Sequence, residues 1–235
     1  SHGRESLKCV NINAGETLPG DRLFAVTHDQ SSADGTSWVP CVNFSRGSKA
    51  PALMAINTTW DQKSNSMTLT HPDLPELSIN PDDPKDQKRF IDWEAALIPK
   101  DRARSSKLVR AVARGMTDTD YASITIGNMA SHRSVAQKMG RELSHLRWRC
   151  NLWLDGFGPW EEFEWIGKTI RIGNVLLEVY ERVERCLATT ASPKTGYRDA
   201  DTLGTLETWG HRDFTVAAIA KNNGQVSIND KASLV

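Results

Sequence analysis

The chain has 235 residues, and its 29 lysines and arginines are balanced by 29 aspartates and glutamates. A formal net charge of zero argues against a nucleic-acid binder with a broad basic face and against a polybasic membrane anchor. No apolar run reaches the roughly 18 residues that a transmembrane helix needs. The polar start does not read as a signal peptide and looks cut from a longer chain, so we expect a cytoplasmic protein without membrane or nucleic-acid partners.

The cysteines are far apart, with no CxxC pair. This spacing fits neither a zinc ribbon, a thioredoxin-like redox motif nor an iron–sulfur cluster. Without a secretion signal we expect free thiols in a reducing cytosol. Because a free cysteine is most often a small buried hydrophobic residue, burial is the first interpretation of each one. The four are Cys9, Cys41, Cys150 and Cys186.

The first half of the chain predicts short strands joined by turn-rich connections. A helix is predicted over 81–98, because acids cluster at its start and apolar residues recur at helical spacing from Phe90 to Leu97. The polar stretch 99–121 predicts a strand inside a long connection. Alternation of apolar and polar residues predicts the strands 7–14, 22–29, 52–61 and 66–80.

The second half predicts a helix over 129–140, capped by Asn128 or Ser131 and stopped by Gly140, and a short helix over 201–210. Many short strands without a regular βαβ rhythm predict a mainly β protein with some α, of the α+β class and barrel-like. Neither GxGxxG nor GxxxxGK[ST] occurs. Strands are predicted at 122–128, 148–155, 168–173, 174–189, 214–220 and 225–230.

Arginines recur beside apolar strands, where a guanidinium can bind a phosphate or carboxylate. If Arg147, Trp148 and Arg149 lie on a strand, the two arginines share one face and Trp148 takes the other. For each arginine the alternative is a solvated face or a surface salt bridge. The arginines concerned are Arg22, Arg133, Arg147, Arg149 and Arg185.

Other patterns leave their function open. Ser131 follows a strand-to-helix junction, where backbone N–H groups bind anions or are simply capped. The four tryptophans between Trp148 and Trp165 are most simply the edge of a packed core. No GxSxG elbow occurs, and although Cys186 and His211 could form a catalytic pair, the sequence does not fix their distance.

Residues 182–196, RVERCLATTASPKTG, place Cys186 at the end of an apolar run and before a turn. From these residues alone Cys186 is a buried filler, a nucleophile or a metal ligand. The segment is also the most specific part of a resemblance that covers nearly the whole chain. Five segments resemble, in order, the motifs of MOSC-domain proteins, a family related to the C-terminal domain of molybdenum-cofactor sulfurase. They are LPGDRLFAV (18–26), RWRCNLWLDGFGPWEEFEW (147–165), WIGKTIRIGNVLLEV (165–179), VERCLATTASPKTG (183–196) and WGHRDFTVAAI with GQVSIND (209–230).

The resemblance is nearest to bacterial proteins with an N-terminal MOSC-type β-barrel, in a wider group that includes the mitochondrial amidoxime-reducing component. It implies such a barrel over 1–80, truncated at its start, and a MOSC domain over 81–235. Relatives usually open with a strand ending in Pro-Val/Ile-Lys-Ser, which Ser1-His2-Gly3 continues, so we expect that strand and its lysine to be absent. Two further departures are Cys150, where a proline is common, and Phe214-Thr215-Val216-Ala217, which lacks the glycine and tyrosine usual there.

The resemblance implies that Cys186 is the protein ligand to the molybdenum of a molybdenum cofactor, whose other sulfurs come from a pterin dithiolene. A soft thiolate suits such a metal, and Arg185 beside it would favour the thiolate and reach the anionic cofactor. Family-level descriptions also mention pyridoxal phosphate. The remaining cofactor contacts implied by the resemblance are Arg22, Ser131, Arg149 and Asn151.

Three functions therefore compete. The first is a molybdenum-dependent oxidoreductase that reduces small N-hydroxylated compounds with electrons from a separate donor protein. The second is a carrier that takes sulfur from a sulfur donor as a persulfide on Cys186, or that delivers the cofactor intact. The third is a β-barrel interaction protein in which Cys186 only packs. In each case the other three cysteines are ordinary thiols.

Overall fold

A computed structural model describes residues 2–235, so Ser1, the first residue of the N-terminal resemblance, lies outside the described residues. This part of the chain contains thirteen strands and three α-helices, which confirms the predicted mainly β, α+β class. The helices are α1 (Pro84–Glu94), α2 (Met129–Lys138) and α3 (Thr202–Glu207). The strands are β1 (Cys9–Ile12), β2 (Phe24–His28), β3 (Asn57–Asp61), β4 (Ser66–His71), β5 (Leu74–Ile79), β6 (Ser105–Arg110), β7 (Ile124–Asn128), β8 (Leu152–Leu154), β9 (Thr169–Ile172), β10 (Val175–Glu184), β11 (Asp213–Ala220), β12 (Gly224–Ser227) and β13 (Ala232–Leu234). Among the described helices, none has the length and apolar character to cross a membrane.

The chain forms two compact units, each assembled from separate segments. The chain leaves the second unit directly after Cys186 and enters the first at Leu187. The division into 1–80 and 81–235 that the resemblance implies stays a prediction. The first unit comprises residues 2–6, 22–120 and 187–200, and the second comprises 7–21, 121–186 and 201–235.

The first unit holds an antiparallel meander of β3, β4 and β5, the antiparallel pair β2–β6, and helix α1. The helix begins at Pro84 because the Asp83 side chain accepts hydrogen bonds from the backbone N–H groups of Lys85 and Asp86. Its buried residue Phe90 joins a core cluster with Leu69 of the meander and residues of β2 and β6. This apolar cluster holds the two sheets and the helix of the unit together.

The second unit holds a six-stranded sheet in the order β13–β9–β10–β11–β7–β8 and a separate pair, β1–β12. All pairings are antiparallel except that of β7 with β8. Ile12 of β1 and Val226 of β12 are buried in the same core cluster as Ile126 and Val216 of the larger sheet. Both sheets therefore share one core, in agreement with the predicted barrel-like architecture.

The strand predicted over 148–155 is wrong in its first half. Residues His145–Trp148 form a 3₁₀ helix, and the strand runs only over Leu152–Leu154. Arg149 ends the 3₁₀ helix in the left-handed region, with φ of 54°, which is incompatible with an extended strand. Arg147 and Arg149 therefore do not share a strand face.

The cap of helix α2 is Asn128 rather than Ser131, because the Asn128 Oδ1 accepts a hydrogen bond from the Ala130 N–H at 2.9 Å.

Candidate functional site

Cys186 lies immediately beyond the end of β10 in the second unit. The backbone N–H of Arg185 donates to the carbonyl of Arg212 at 3.0 Å, which extends the pairing of β10 with β11 up to the residue before the cysteine. Cys186 is exposed. The interpretation of Cys186 as a buried filler is therefore wrong, because the residue is open to solvent.

The guanidinium of Arg185 donates to acceptors from two segments of the second unit. Its Nε donates to the carbonyl of Phe214 at 2.7 Å, and its Nη1 donates to the carbonyl of Trp148 at 3.2 Å. Its Nη2 donates to Oγ1 of Thr215. Because none of these acceptors is a carboxylate, the positive charge of Arg185 is held in place without being neutralised by them.

Thr215 lies in a bulge opposite the end of β10. Between the paired positions Glu184–Asp213 and Arg182–Val216, β11 has two residues where β10 has one. Thr215 is fully buried and has a φ of 73°. This conformation costs little for glycine but strains a β-branched residue. The family pattern has glycine in this motif, so the departure noted in the sequence coincides with a backbone conformation that favours glycine.

A stacked pair of rings supports the carbonyl groups that hold Arg185. The rings of Trp148 and Phe214 lie 3.9 Å apart, centroid to centroid, and 16° from parallel. Nε1 of Trp148 donates to Nδ1 of His132 at 3.0 Å, so Nε2 of His132 carries the proton and donates to the carbonyl of Leu143 at 2.8 Å. Burial lowers the pKa of His132 to about 4, which keeps the imidazole neutral at pH 7.

Cys150 is an ordinary thiol by its surroundings. Its Sγ lies 3.2 Å from the carbonyl oxygens of both Thr125 and Leu152. Burial of the sulfur raises the pKa of Cys150 to about 11, against the opposing effect of the Arg185 charge. The thiol stays protonated at neutral pH and is unreactive.

Ser131 is fully buried and already engaged within the protein. Its Oγ donates to Oε2 of Glu162 at 2.8 Å and accepts from the backbone N–H of Trp160 at 2.7 Å. Oε2 of Glu162 also accepts from Nδ2 of Asn128 at 2.8 Å. The single hydroxyl proton of Ser131 is thus used to position the Glu162 carboxyl.

Glu162 is fully buried, and its burial raises its pKa. Its Oε1 has no hydrogen-bond partner among residues 2–235. Glu162 has a structural role, because its carboxyl joins the cap residue of α2 to Ser131 and, through Ser131, to Trp160.

Trp160 stands in the left-handed region, with φ of 66°, and is the centre of an aromatic cluster. Its ring centroid lies 5.0 Å from that of Trp209, 5.2 Å from that of His211 and 5.7 Å from that of Phe163. Trp148 and Trp165 are fully buried, whereas Trp153 and Trp160 are half-buried. The four tryptophans therefore divide between the core and a partly open aromatic wall.

Asn151 is bound to its neighbours at both ends of its amide. Its Oδ1 accepts from the backbone N–H of Thr125 at 2.9 Å and from the Thr125 hydroxyl at 2.8 Å, and its Nδ2 donates to Asp21 at 3.1 Å. These contacts give Asn151 a structural role in the connection to β8. A contact of Asn151 with a cofactor stays a prediction.

The arginines differ in their surroundings. Arg133 forms a bidentate salt bridge with the exposed Asp155, with N···O distances of 3.0 and 2.7 Å. For Arg133 the alternative of a surface salt bridge is therefore the one that the structure shows. Arg22 belongs to the first unit, has a φ of 52° and lies 3.6 Å from Asp118. The other residues predicted to contact the cofactor belong to the second unit and are Cys186, Arg185, Arg149, Asn151 and Ser131. Their roles toward a cofactor stay predictions.

No group of three or more histidine, cysteine or acidic side chains within residues 2–235 could hold a metal ion. A metal at Cys186 would therefore need most of its ligands from a cofactor. An exposed cysteine, a soft ligand, next in sequence to an arginine with a fixed guanidinium fits an anionic cofactor that brings its own sulfur ligands. The donor set of this chain is thus compatible with the cofactor that the resemblance implies.

Sequence reasoning did not find the contribution of Thr215 or the burial of Glu162. Thr215 was visible only as a missing glycine. Glu162 lies in the run EEFE, where Glu161 and Glu164 look the same. Only the fold distinguishes the buried member of that run.

Comparison with known proteins bears on the family of this chain. No curated protein gives a significant match. A solved structure, the crystal structure of the YUAD protein from Bacillus subtilis, aligns with 97% of this chain and 85% of its own at 10% sequence identity and a TM-score of 0.41. The family model of the MOSC domain matches residues 114–233, just over half of the chain. The chain belongs to the MOSC domain family.

Proposed function

We propose that this protein binds a molybdenum cofactor through Cys186 and acts as an oxidoreductase on small N-hydroxylated compounds. The family is related to molybdenum-cofactor sulfurase, and the observation that carries the proposal is the exposed Cys186, which follows directly in sequence the arginine whose guanidinium is held by the Phe214 and Trp148 carbonyls. When bound, the cofactor supplies two-electron redox chemistry. The electrons come from a separate donor protein.

Cys186 would hold the metal as a thiolate, because coordination removes the thiol proton. The positive charge of Arg185, the residue before it in the chain, can attract an anionic cofactor. Its three hydrogen bonds to the Phe214 and Trp148 carbonyls and the Thr215 hydroxyl prevent it from swinging away. Little conformational entropy would be lost on binding, since the guanidinium is already ordered.

The test is the molybdenum and pterin content of protein purified from a host that makes the cofactor. Wild type and Cys9→Ala are expected to carry equal molybdenum, whereas Cys186→Ala is expected to lose most of it. Cys9 is the matched control, because it is also an exposed cysteine of the second unit. Wild type without molybdenum, or a Cys186→Ala variant that keeps all of it, would refute the proposal.

A second candidate is a sulfur carrier, and the exposure of Cys186 favours it as well, since thiol exchange needs an accessible sulfur. The Cys186 thiolate would attack the outer sulfur of a donor persulfide. The donor's sulfur–sulfur bond breaks, the donor leaves as a thiolate, and the persulfide remains on Cys186.

Persulfide labelling after incubation with a persulfide donor separates the two candidates. A sulfur carrier is labelled in wild type and Cys9→Ala but not in Cys186→Ala, and it carries no molybdenum. A molybdenum-loaded protein that is not labelled supports the oxidoreductase instead.

A further inference from the structure

The first unit contains a cavity of about 250 Å³ that is lined only by residues of that unit. Neither Cys186 nor any residue assigned above to the cofactor contributes to it. One side of the lining comes from the segment that follows β2, and the other from the segment between α1 and β6. The lining residues are His28, Gln30, Val42, Phe44, Ser45, Arg46, Lys49, Ala50, Ile98, Asp101, Arg102 and Ala103.

The cavity has an apolar part. Ala50 and Ile98 are 3% and 5% exposed and belong to the core cluster of the unit, and the half-buried Phe44 adds an aromatic ring. A surface of this kind favours the apolar body of a small molecule. An apolar wall makes no favourable contact with a fully hydrated inorganic ion.

The charged side chains of the lining are mostly basic. Arg46, Lys49 and Arg102 face the single acid Asp101, which lies 3.7 Å from Arg102. Within residues 2–235 neither Arg46 nor Lys49 forms an ion pair. The one side-chain hydrogen bond of Arg46 is donated by Nη1 to Sγ of Cys41 at 3.0 Å, and sulfur is a weak acceptor. Two positive charges therefore remain without an acidic partner.

His28 does not add a third free donor. Its Nε2 lies 2.8 Å from the carbonyl of Val42 and donates to it, while its Nδ1 accepts from the backbone N–H of Gln30 at 3.2 Å. Both ring nitrogens are thus engaged in holding the loop. The cationic recognition in this cavity comes from Arg46 and Lys49.

Both walls are held by hydrogen bonds that do not involve a ligand. The Ser45 N–H donates to the Val26 carbonyl at 2.8 Å, and the hydroxyls of Ser45 and Ser105 lie 2.7 Å apart. On the other side, Arg104 donates to the Ile98 carbonyl at 3.0 Å. The cavity is thus preformed, which lowers the cost of binding.

We propose that this cavity binds a small organic anion: a carboxylate that reaches Arg46 and Lys49, with an apolar body packed against Phe44 and Ile98. A guanidinium binds a carboxylate through two parallel hydrogen bonds, and the nearby lysine adds a point charge. The volume suits a body of about one six-membered ring.

The test uses benzoate as the probe, with benzyl alcohol as its neutral counterpart and inorganic phosphate as an anion without an apolar body. Calorimetry or ligand-observed NMR on the full chain should give a benzoate Kd of about the millimolar range. Benzyl alcohol and phosphate should each bind at least about tenfold more weakly, because each lacks one of the two contacts.

Arg46→Gln should weaken benzoate binding by about tenfold or more, and Lys49→Gln by about twofold to fivefold. Lys107→Gln is the matched control, since Lys107 is an exposed lysine of the same unit outside this cavity. It should leave the affinity unchanged. Lys49→Gln keeps the test valid if Arg46→Gln fails to fold, because Lys49 is exposed and bonds only through its backbone.

The proposal is overturned if benzoate does not bind, if benzyl alcohol binds equally well, or if Lys49→Gln and Lys107→Gln have the same effect. Preferential binding of phosphate would also overturn it, since the apolar wall would then have no role.

Discussion

Nη2 of Arg185 donates a hydrogen bond to Oγ1 of Thr215, a buried β-branched residue that holds a φ of 73°. The bond gives the Arg185 guanidinium one of its acceptors. The same residue imposes backbone strain of about 1–3 kcal/mol, because the left-handed region disfavours a branched side chain. Strain and hydrogen bonding therefore act in opposite directions at one position.

Thr215→Gly and Thr215→Val separate these two effects. Both remove the hydroxyl, which costs about 1.5–3 kcal/mol for a bond to a charged donor. Only glycine also relieves the strain at φ 73°. Glycine also empties the buried volume of the side chain, which offsets part of this gain. We expect Thr215→Gly to unfold in urea with a free energy about 1 kcal/mol above that of Thr215→Val. A Thr215→Gly variant less stable than Thr215→Val would show that the strain at this position is smaller than the packing that glycine loses.

His132 should make the protein less stable in mild acid. Its pKa is about 4 in the folded protein, against an ordinary value of 6.5, so the unfolded chain binds the proton first as the pH falls. Between pH 6.5 and about 4, this residue alone should lower the free energy of unfolding by roughly 1.4 kcal/mol per pH unit. Above pH 6.5 His132 should not make the free energy of unfolding depend on pH.

The measurement is urea unfolding from pH 4.5 to 8 in wild type and His132→Gln, which cannot take up the proton. The variant loses part of the buried network with Trp148 and Leu143 and is expected to be less stable at pH 8. Its slope between pH 6.5 and 4.5 should be shallower than that of wild type. Parallel curves would exclude His132 as the source of acid sensitivity.

Glu162 should have the opposite pH dependence. Burial raises its pKa above the ordinary 4.5, so the folded protein holds the proton more tightly than the unfolded chain. Its contribution to stability therefore falls as the pH rises above 4.5. The difference in unfolding free energy between Glu162→Gln and wild type should move in favour of the variant from pH 5 to pH 8.

Glu162→Ala is the control for the hydrogen bonds. It leaves the buried donors of Asn128 and Ser131 without their acceptor, whereas glutamine keeps an acceptor oxygen for both. Since neither variant titrates at this position, Glu162→Ala should be about 2–4 kcal/mol less stable than Glu162→Gln at every pH. A stability difference between Glu162→Gln and wild type that does not change with pH would mean that the carboxyl is not penalised by burial.

The strands and helices were largely predictable, because each follows from a local pattern. Alternation placed β10 and β11, and Asn128 before an amphipathic run placed the start of α2. The error over residues 148–155 arose where tertiary packing overrides the pattern. Trp148 is buried against Phe214 by turning the chain through a left-handed Arg149, and no local signal in the sequence records that contact.

For the candidate site, the sequence predicted which residues take part but not the hydrogen bonds between them. The resemblance selected Cys186 and Arg185, but the acceptors of Arg185 come from residues about 30 and 37 positions away in sequence. Likewise, Ser131 looked like a free donor until its hydroxyl proved to be bonded to Glu162. Hydrogen bonds between distant segments depend on the fold, so sequence patterns cannot assign them.

Gly196, which ends the PKTG turn after Cys186, is the one glycine of residues 182–196 and should not tolerate a larger residue. Its φ is 75°, and a Cβ added there would lie 2.6 Å from the Cα of Ala52 in the same unit. Gly196→Ala therefore has both an unfavourable left-handed backbone and a clash with the main chain. We expect its free energy of unfolding to fall by about 3 kcal/mol or more. Gly210→Ala is the control, because Gly210 has a φ of 80° and open space around its Cβ position, so it should lose only about 1 kcal/mol. The two variants are compared by their free energies of unfolding in urea.

A Gly196→Ala variant as stable as Gly210→Ala would show that this segment can move away from Ala52. The glycine of the PKTG turn would then need an explanation other than packing.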